Sequence, residues 1–193
     1  MIDGAMQDYA LTLDKFLSHA AKWHPLAEVV SAAADGTVER IGYAELYDRA
    51  RAVSAALHRL GVRQGDRVAT LAWNSRGHFE SWYGIIGMGA VCHTLNPRLT
   101  AKNLGSMLGQ SEARVLLVSP DLLPLAQAAS IEGSAIEHIL LLDDHGAAIE
   151  ASEGLANIGS LETAMAAETA DAICTRCGSL VPMSWACGRM MRC

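Results

Sequence analysis

Apolar positions recur along this chain at spacings that change from helical to strand-like and back. Leu13, Phe16, Leu17 and Ala20 repeat at helical spacing, with Thr12 as a candidate cap and Pro25 just beyond. Val29–Ala33 and Val38–Tyr43 flank Asp35-Gly36, a pairing that predicts a hairpin. Leu46, Ala50, Val53, Leu57 and Leu60 form the clearest amphipathic helix, followed by Gly61 where a left-handed cap is expected. Gly65-Asp66 then turns the chain into Val68–Trp73, a mostly apolar run of the buried-strand kind.

Asn74 or Ser75 can cap the next helix, whose apolar stripe reads as Phe79, Trp82, Tyr83 and Ile86. Ala90–Leu95 reads as a strand stopped by Asn96-Pro97, because proline cannot donate to a ladder. Thr100 opens a helix with Leu104, Met107 and Leu108, and Val115–Val118 reads as a strand. Pro120–Ala129 reads as a helix, and His138–Leu142 as a strand ended by Asp143-Asp144. Residues 145–170 are weakly patterned and read as a connector with a short helix near Leu161–Ala167. Strands alternate with helices from Arg67 onward. The expected fold is therefore α/β: a partial doubly wound, mostly parallel sheet with helices on both faces, an N-terminal hairpin and an irregular C-terminal tail.

Composition supports a packed core, with 51% hydrophobic and 19% charged residues. The net charge is −6 and the basic residues form no stripe, which argues against a nucleic-acid partner. No apolar run approaches the ~18 residues of a transmembrane segment. The start of the chain lacks the basic and apolar regions of a signal peptide, so a cytoplasmic location is expected. Twelve arginines stand against three lysines, Lys15, Lys22 and Lys102. A sheet cut from a larger one would leave apolar faces open, so self-association is a further expectation.

Cysteine usage is uneven. Cys92 stands alone, while Cys174, Cys177, Cys187 and Cys193 crowd the last twenty residues. Thr175–Trp185 has neither helical nor strand periodicity, and Met190 and Met191 follow. This divides the chain into an incomplete α/β unit, 1–173, and an atypical Cys/Met-rich tail, 174–193. A frame change or gene truncation near Cys174 would produce such a break.

The ordered motifs of the α/β part carry a specific resemblance. They are Tyr43-Ala44-Glu45-Leu46, then Leu60-Gly61-Val62 leading to Gly65-Asp66-Arg67-Val68-Ala69, and Leu71-Ala72-Trp73-Asn74. Gly87-Met88-Gly89-Ala90-Val91 and His93-Thr94-Leu95-Asn96-Pro97-Arg98-Leu99 complete the set. Together they resemble the N-terminal part of an AMP-forming acyl-CoA synthetase, in the fatty-acyl-CoA ligase branch of the adenylate-forming enzymes. The resemblance implies a parent activity with fatty acid, ATP, magnesium and coenzyme A, running through an acyl-adenylate that the thiol of coenzyme A then attacks.

The residues that hold the nucleotide in that family find no match here. Adenylation needs small residues whose N–H groups cradle phosphate, together with a cation. The family's loop is rich in serine, threonine and glycine, ends in proline-lysine-glycine, and starts after a strand resembling Ala172-Ile173-Cys174. Here Thr175-Arg176-Cys177-Gly178 follows, and no lysine lies beyond Lys102. No catalytic, cofactor-binding or metal residue is therefore assigned, and the chain alone is expected to be inactive and to bind no cofactor. Gly84-Ile85-Ile86-Gly87-Met88-Gly89 precedes a strand, so it does not fit a dinucleotide fingerprint. Gly61, Gly65, Gly87 and Gly89 read as caps, turns and close approaches.

Two rival readings concern the tail. Cys174 and Cys177, with Cys187 and Cys193, could bind zinc in a small non-catalytic interaction protein, but the second pair is spaced five residues apart rather than two. A CxxC redox pair lacks its strand-to-helix setting. His19, His24, His58 and His138 read as surface or packed residues. His78 reads as locally hydrogen-bonded, His93 as a satisfied core histidine, and Cys92 as an inert buried thiol. Asp143-Asp144 reads as a turn, and Trp82 with Tyr83 as core.

Overall fold

A computed structural model describes residues 12–32, 36–130, 134–142 and 157–169. The segment 174–193, with its four cysteines, lies outside the described residues.

The chain opens with α1 (Asp14–Trp23) and an antiparallel hairpin, β1 (Glu28–Ala32) and β2 (Val38–Gly42), in which Val30 faces Arg40 and Ala32 faces Val38. Then come α2 (Tyr43–Arg59), β3 (Arg67–Leu71), α3 (Arg76–Gly87), β4 (Val91–Thr94), α4 (Ala101–Ser111) and β5 (Val115–Val118). A 3-10 turn over Pro120–Leu122 leads into α5 (Leu123–Ser130), followed by β6 (His138–Leu141), β7 (Asn157–Ser160) and α6 (Leu161–Thr169). Among the described residues, five strands form one parallel sheet in the order β4-β3-β5-β6-β7. The expected α/β fold, with its hairpin and helices on both faces, is the observed one.

Strand alternation divides the core between the two faces. Val68, Val115, Leu117 and Leu140 point toward α2, α3 and α6, where Val53, Leu57, Ile85, Leu161 and Met165 meet them. Ala69, Leu71, Leu116, Val118 and Ile139 point the other way, against Leu104 and Leu108 of α4 and Ala126 and Ala129 of α5. All four residues of β5 are buried, as expected of a central parallel strand covered twice. A third, smaller cluster of Leu17, Ile41, Leu46 and Ala50 ties α1 and the hairpin to α2.

The helix ends follow their sequence signals. Gly61 has φ +87° and Gly89 φ +80°, both in the left-handed region. At each, two backbone bonds close the helix: Gly61 N–H to His58 O and Val62 N–H to Leu57 O, then Gly89 N–H to Ile86 O and Ala90 N–H to Ile85 O. This is the Schellman pattern, and it favours glycine at the left-handed residue. Ser75 rather than Asn74 caps α3, its hydroxyl accepting the His78 N–H at 3.2 Å. The Thr100 hydroxyl accepts the Asn103 N–H at 3.4 Å.

Four expectations are corrected. The connector contains a strand: β7 pairs in parallel with β6 from Asn157 opposite His138 to Ser160 opposite Leu141. Its sequence, Asn-Ile-Gly-Ser, has one apolar residue, so alternation could not announce it. Helix α3 does not bury its aromatic stripe. Gly77, Glu80, Ser81, Gly84 and Ile85 face inward, while Phe79, Trp82 and Tyr83 are half-buried along the flank. Small side chains win the inner face because α2 crosses too close for rings. A Cβ added at Gly84 would lie 2.7 Å from Val53 Cβ and 2.8 Å from Ala50 O. Among the described residues, strand β4 lies at the edge of the sheet with Val91 half exposed, rather than in the buried setting that reading His93 as a core residue requires. Thr12 does not cap α1, whose N-cap is Leu13 with no side-chain hydrogen bond.

Candidate functional site

In an open parallel sheet, ligands settle at the carboxyl ends of the strands where the winding reverses. Here the chain runs from β3 outward to β4, then crosses back over β3 to β5 and proceeds the other way. The helix after β3, α3, covers one face, and the helix after β5, α5, covers the other. The crevice between the carboxyl ends of β3 and β5 is therefore the place where this fold offers a site.

Hydrogen bonds organise that edge. The Trp73 N–H donates to Ser119 Oγ at 3.1 Å, and the Trp73 indole N–H donates to Asp121 Oδ2 at 2.7 Å. The Ser119 N–H in turn donates to Leu71 O at 3.1 Å. The half-exposed Trp73 ring thus spans from the β3 end to the segment after β5. His78, one turn into α3, pairs its Nδ1 with Trp73 O at 3.0 Å and its Nε2 with Thr70 Oγ1 at 3.1 Å. A carbonyl only accepts, so Nδ1 carries the proton and donates it. The Cys92 thiol also hydrogen-bonds Thr70, and burial pushes its pKa up to about 11.

His78 is locally bonded, as expected. His93 is not the satisfied core histidine that its strand suggested: it is half-buried on the edge strand β4, and its buried Nδ1 has no hydrogen-bond partner. His19 and His24 are exposed, and His58 and His138 half-buried, all on element surfaces. Cys92 is a half-buried thiol packed against the core and held protonated, in keeping with an inert role. Asp143-Asp144 lies outside the described residues. From the sequence Trp73 enters only within a family-like motif, and Ser119 and Asp121 carry no signal. They gather only because the strand order places β5 beside β3, although strand–loop–helix order at both positions marks where to look.

A half-buried ion-pair network centred on the buried Glu80 joins α2, α3 and α6. The Arg49 guanidinium donates from Nε and Nη2 to the two oxygens of Glu80, at 2.6 and 2.7 Å, and also reaches Glu162 on α6. Arg76 lies 3.5 Å from Glu39 and 3.8 Å from Glu162. Burial raises the Glu80 pKa, and Arg49 pulls it back down. At the opposite, amino edge of the sheet a cavity of about 70 Å³ is lined by Leu60, Val62, Asp66, Arg67, Glu112 and Arg114. Its cations are already paired, Arg67 with Glu112 at 2.8 Å and Arg114 with Glu137 at 2.6 Å.

The model of the AMP-binding enzyme family matches residues 17–190. The chain belongs to the AMP-binding enzyme family. Among relatives of known activity, a long-chain-fatty-acid–CoA ligase of Thermus thermophilus is 45% identical over 139 residues, which span 72% of this chain and 26% of that protein. A 3-methylmercaptopropionyl-CoA ligase of Ruegeria lacuscaerulensis is 38% identical over 139 residues, with the same shares. The crystal structure of a coronafacic acid ligase from Pectobacterium brasiliense superposes with a TM-score of 0.69 at 15% identity, covering 81% of this chain and 29% of that one, which speaks to the fold. The chain thus spans about a quarter of the length of the relatives it matches. The family match runs past Cys174, where the composition changes.

Among the described residues, the loops at the carboxyl edge, 72–75, 95–100 and 119, contain neither glycine nor lysine, and their one cation is the exposed Arg98. Among the described residues, no cluster of three or more His, Cys, Asp or Glu could hold a metal ion. Likewise no described helix is long and apolar enough to cross a membrane.

Proposed function

We propose that this sequence supplies the amino-terminal α/β layer of an AMP-forming ligase that joins a fatty acid to coenzyme A, and that the 193-residue chain does not activate a carboxylate by itself. The observation that carries the proposal is a contrast within one chain. Its sheet and helices match a fatty-acid ligase at 45% identity, yet no lysine follows Lys102 and, among the described residues, no glycine-rich loop follows a strand. In this reading fatty acid, ATP, magnesium and coenzyme A belong to the larger protein. Residues 1–173 act as scaffold, and 174–193, into which the family match extends as far as residue 190, form a distinct tail.

The physical argument is electrostatic. Stabilising charge in the transition state is the largest catalytic contribution in such reactions, and removing one donor costs about 10²–10³ in rate. Three polar groups at the carboxyl edge are engaged within the fold. Ser119 Oγ accepts from a backbone N–H, Asp121 accepts from an indole, and Cys92 stays protonated. None of them is a cation aimed at a phosphate.

Two measurements test this. The purified chain should show no ATP–pyrophosphate exchange with a panel of fatty acids, and exchange above background would overturn the inactivity. A chimera joining residues 1–142 of this chain to the remainder of the Thermus thermophilus ligase should form acyl-CoA. A folded chimera without activity would overturn the scaffold assignment.

A further inference from the structure

We draw no further inference here: the strongest candidate, the exposed apolar stripe of Leu13, Phe16 and Trp23 along α1, carries nothing because nothing in the structure shows what covers it.

Discussion

Arg49 grips Glu80 with two parallel hydrogen bonds, 2.6 and 2.7 Å long, across the contact between α2 and α3, and Glu80 is only 1% exposed. The same guanidinium reaches Glu162, so one cation links the first long helix to the last described one. The geometry is the bidentate fork in which arginine and carboxylate pair most strongly. It decides how the face of the sheet bearing α2, α3 and α6 holds together.

Removing one partner of this pair should be costly. Arg49→Ala leaves the Glu80 carboxylate buried without its cation, and the expected loss is about 3 kcal/mol. Replacing both, as Arg49→Met with Glu80→Leu, should cost less than the single change, because no charge is stranded. Urea unfolding of both variants against the native chain measures this, and a double variant at least as destabilised as Arg49→Ala would contradict it.

The pH dependence follows from the direction of the Glu80 shift. Burial raises its folded-state pKa above the ordinary carboxylate value, against the opposing pull of Arg49. The folded chain therefore holds this proton more tightly than the unfolded chain does. The contribution of Glu80 favours folding below its unfolded pKa and is lost as pH rises through the folded one. Arg49→Met removes the opposing pull, so stability should fall more steeply over that window, whereas Glu80→Gln should flatten it. Denaturation midpoints across the acid range provide the check.

Gly84 should tolerate no side chain. An added Cβ would sit 2.7 Å from Val53 Cβ and 2.8 Å from Ala50 O. Gly84→Ala gains about 1 kcal/mol of helix propensity, but the overpacking costs about 1–3 kcal/mol or more. Net destabilisation is expected, with Val53→Ala in the same chain recovering part of it. A double-mutant cycle measures the coupling.

Cys92 should be the slow thiol. Burial pushes its pKa up to about 11. Near pH 8 its thiolate fraction then lies roughly a hundredfold below that of an ordinary cysteine, and alkylation should be slowed at least about tenfold. Peptide mapping after a timed iodoacetamide pulse separates Cys92 from the four cysteines of the tail.

Thr70→Val should loosen the carboxyl edge. The hydroxyl it deletes pairs with His78 Nε2 at 3.1 Å and also with the Cys92 thiol. The loss of a partner should cost about 1 kcal/mol or slightly more. Hydrogen exchange at the backbone amides of residues 73–78 should quicken more than exchange across β5 and β6.

The sequence by itself determined the elements whose physics is local. Leu46, Ala50, Val53 and Leu57 announced α2 because helical spacing places them on one side, and all four are buried. Gly61 and Gly89 announced their helix ends because a left-handed residue closes them with least strain. The alternation of strand and helix announced the parallel sheet, and the ordered motifs announced the family. The tertiary structure alone decided what depends on neighbours. It turned Gly84 rather than Tyr83 inward, because the approach of α2 leaves no room for a ring. It made a strand of Asn157–Ser160, because hydrogen bonds from β6 hold a strand that apolar alternation does not mark. And it brought Trp73 to Asp121, 48 residues apart, because the order of the sheet, which no local pattern encodes, sets β3 beside β5.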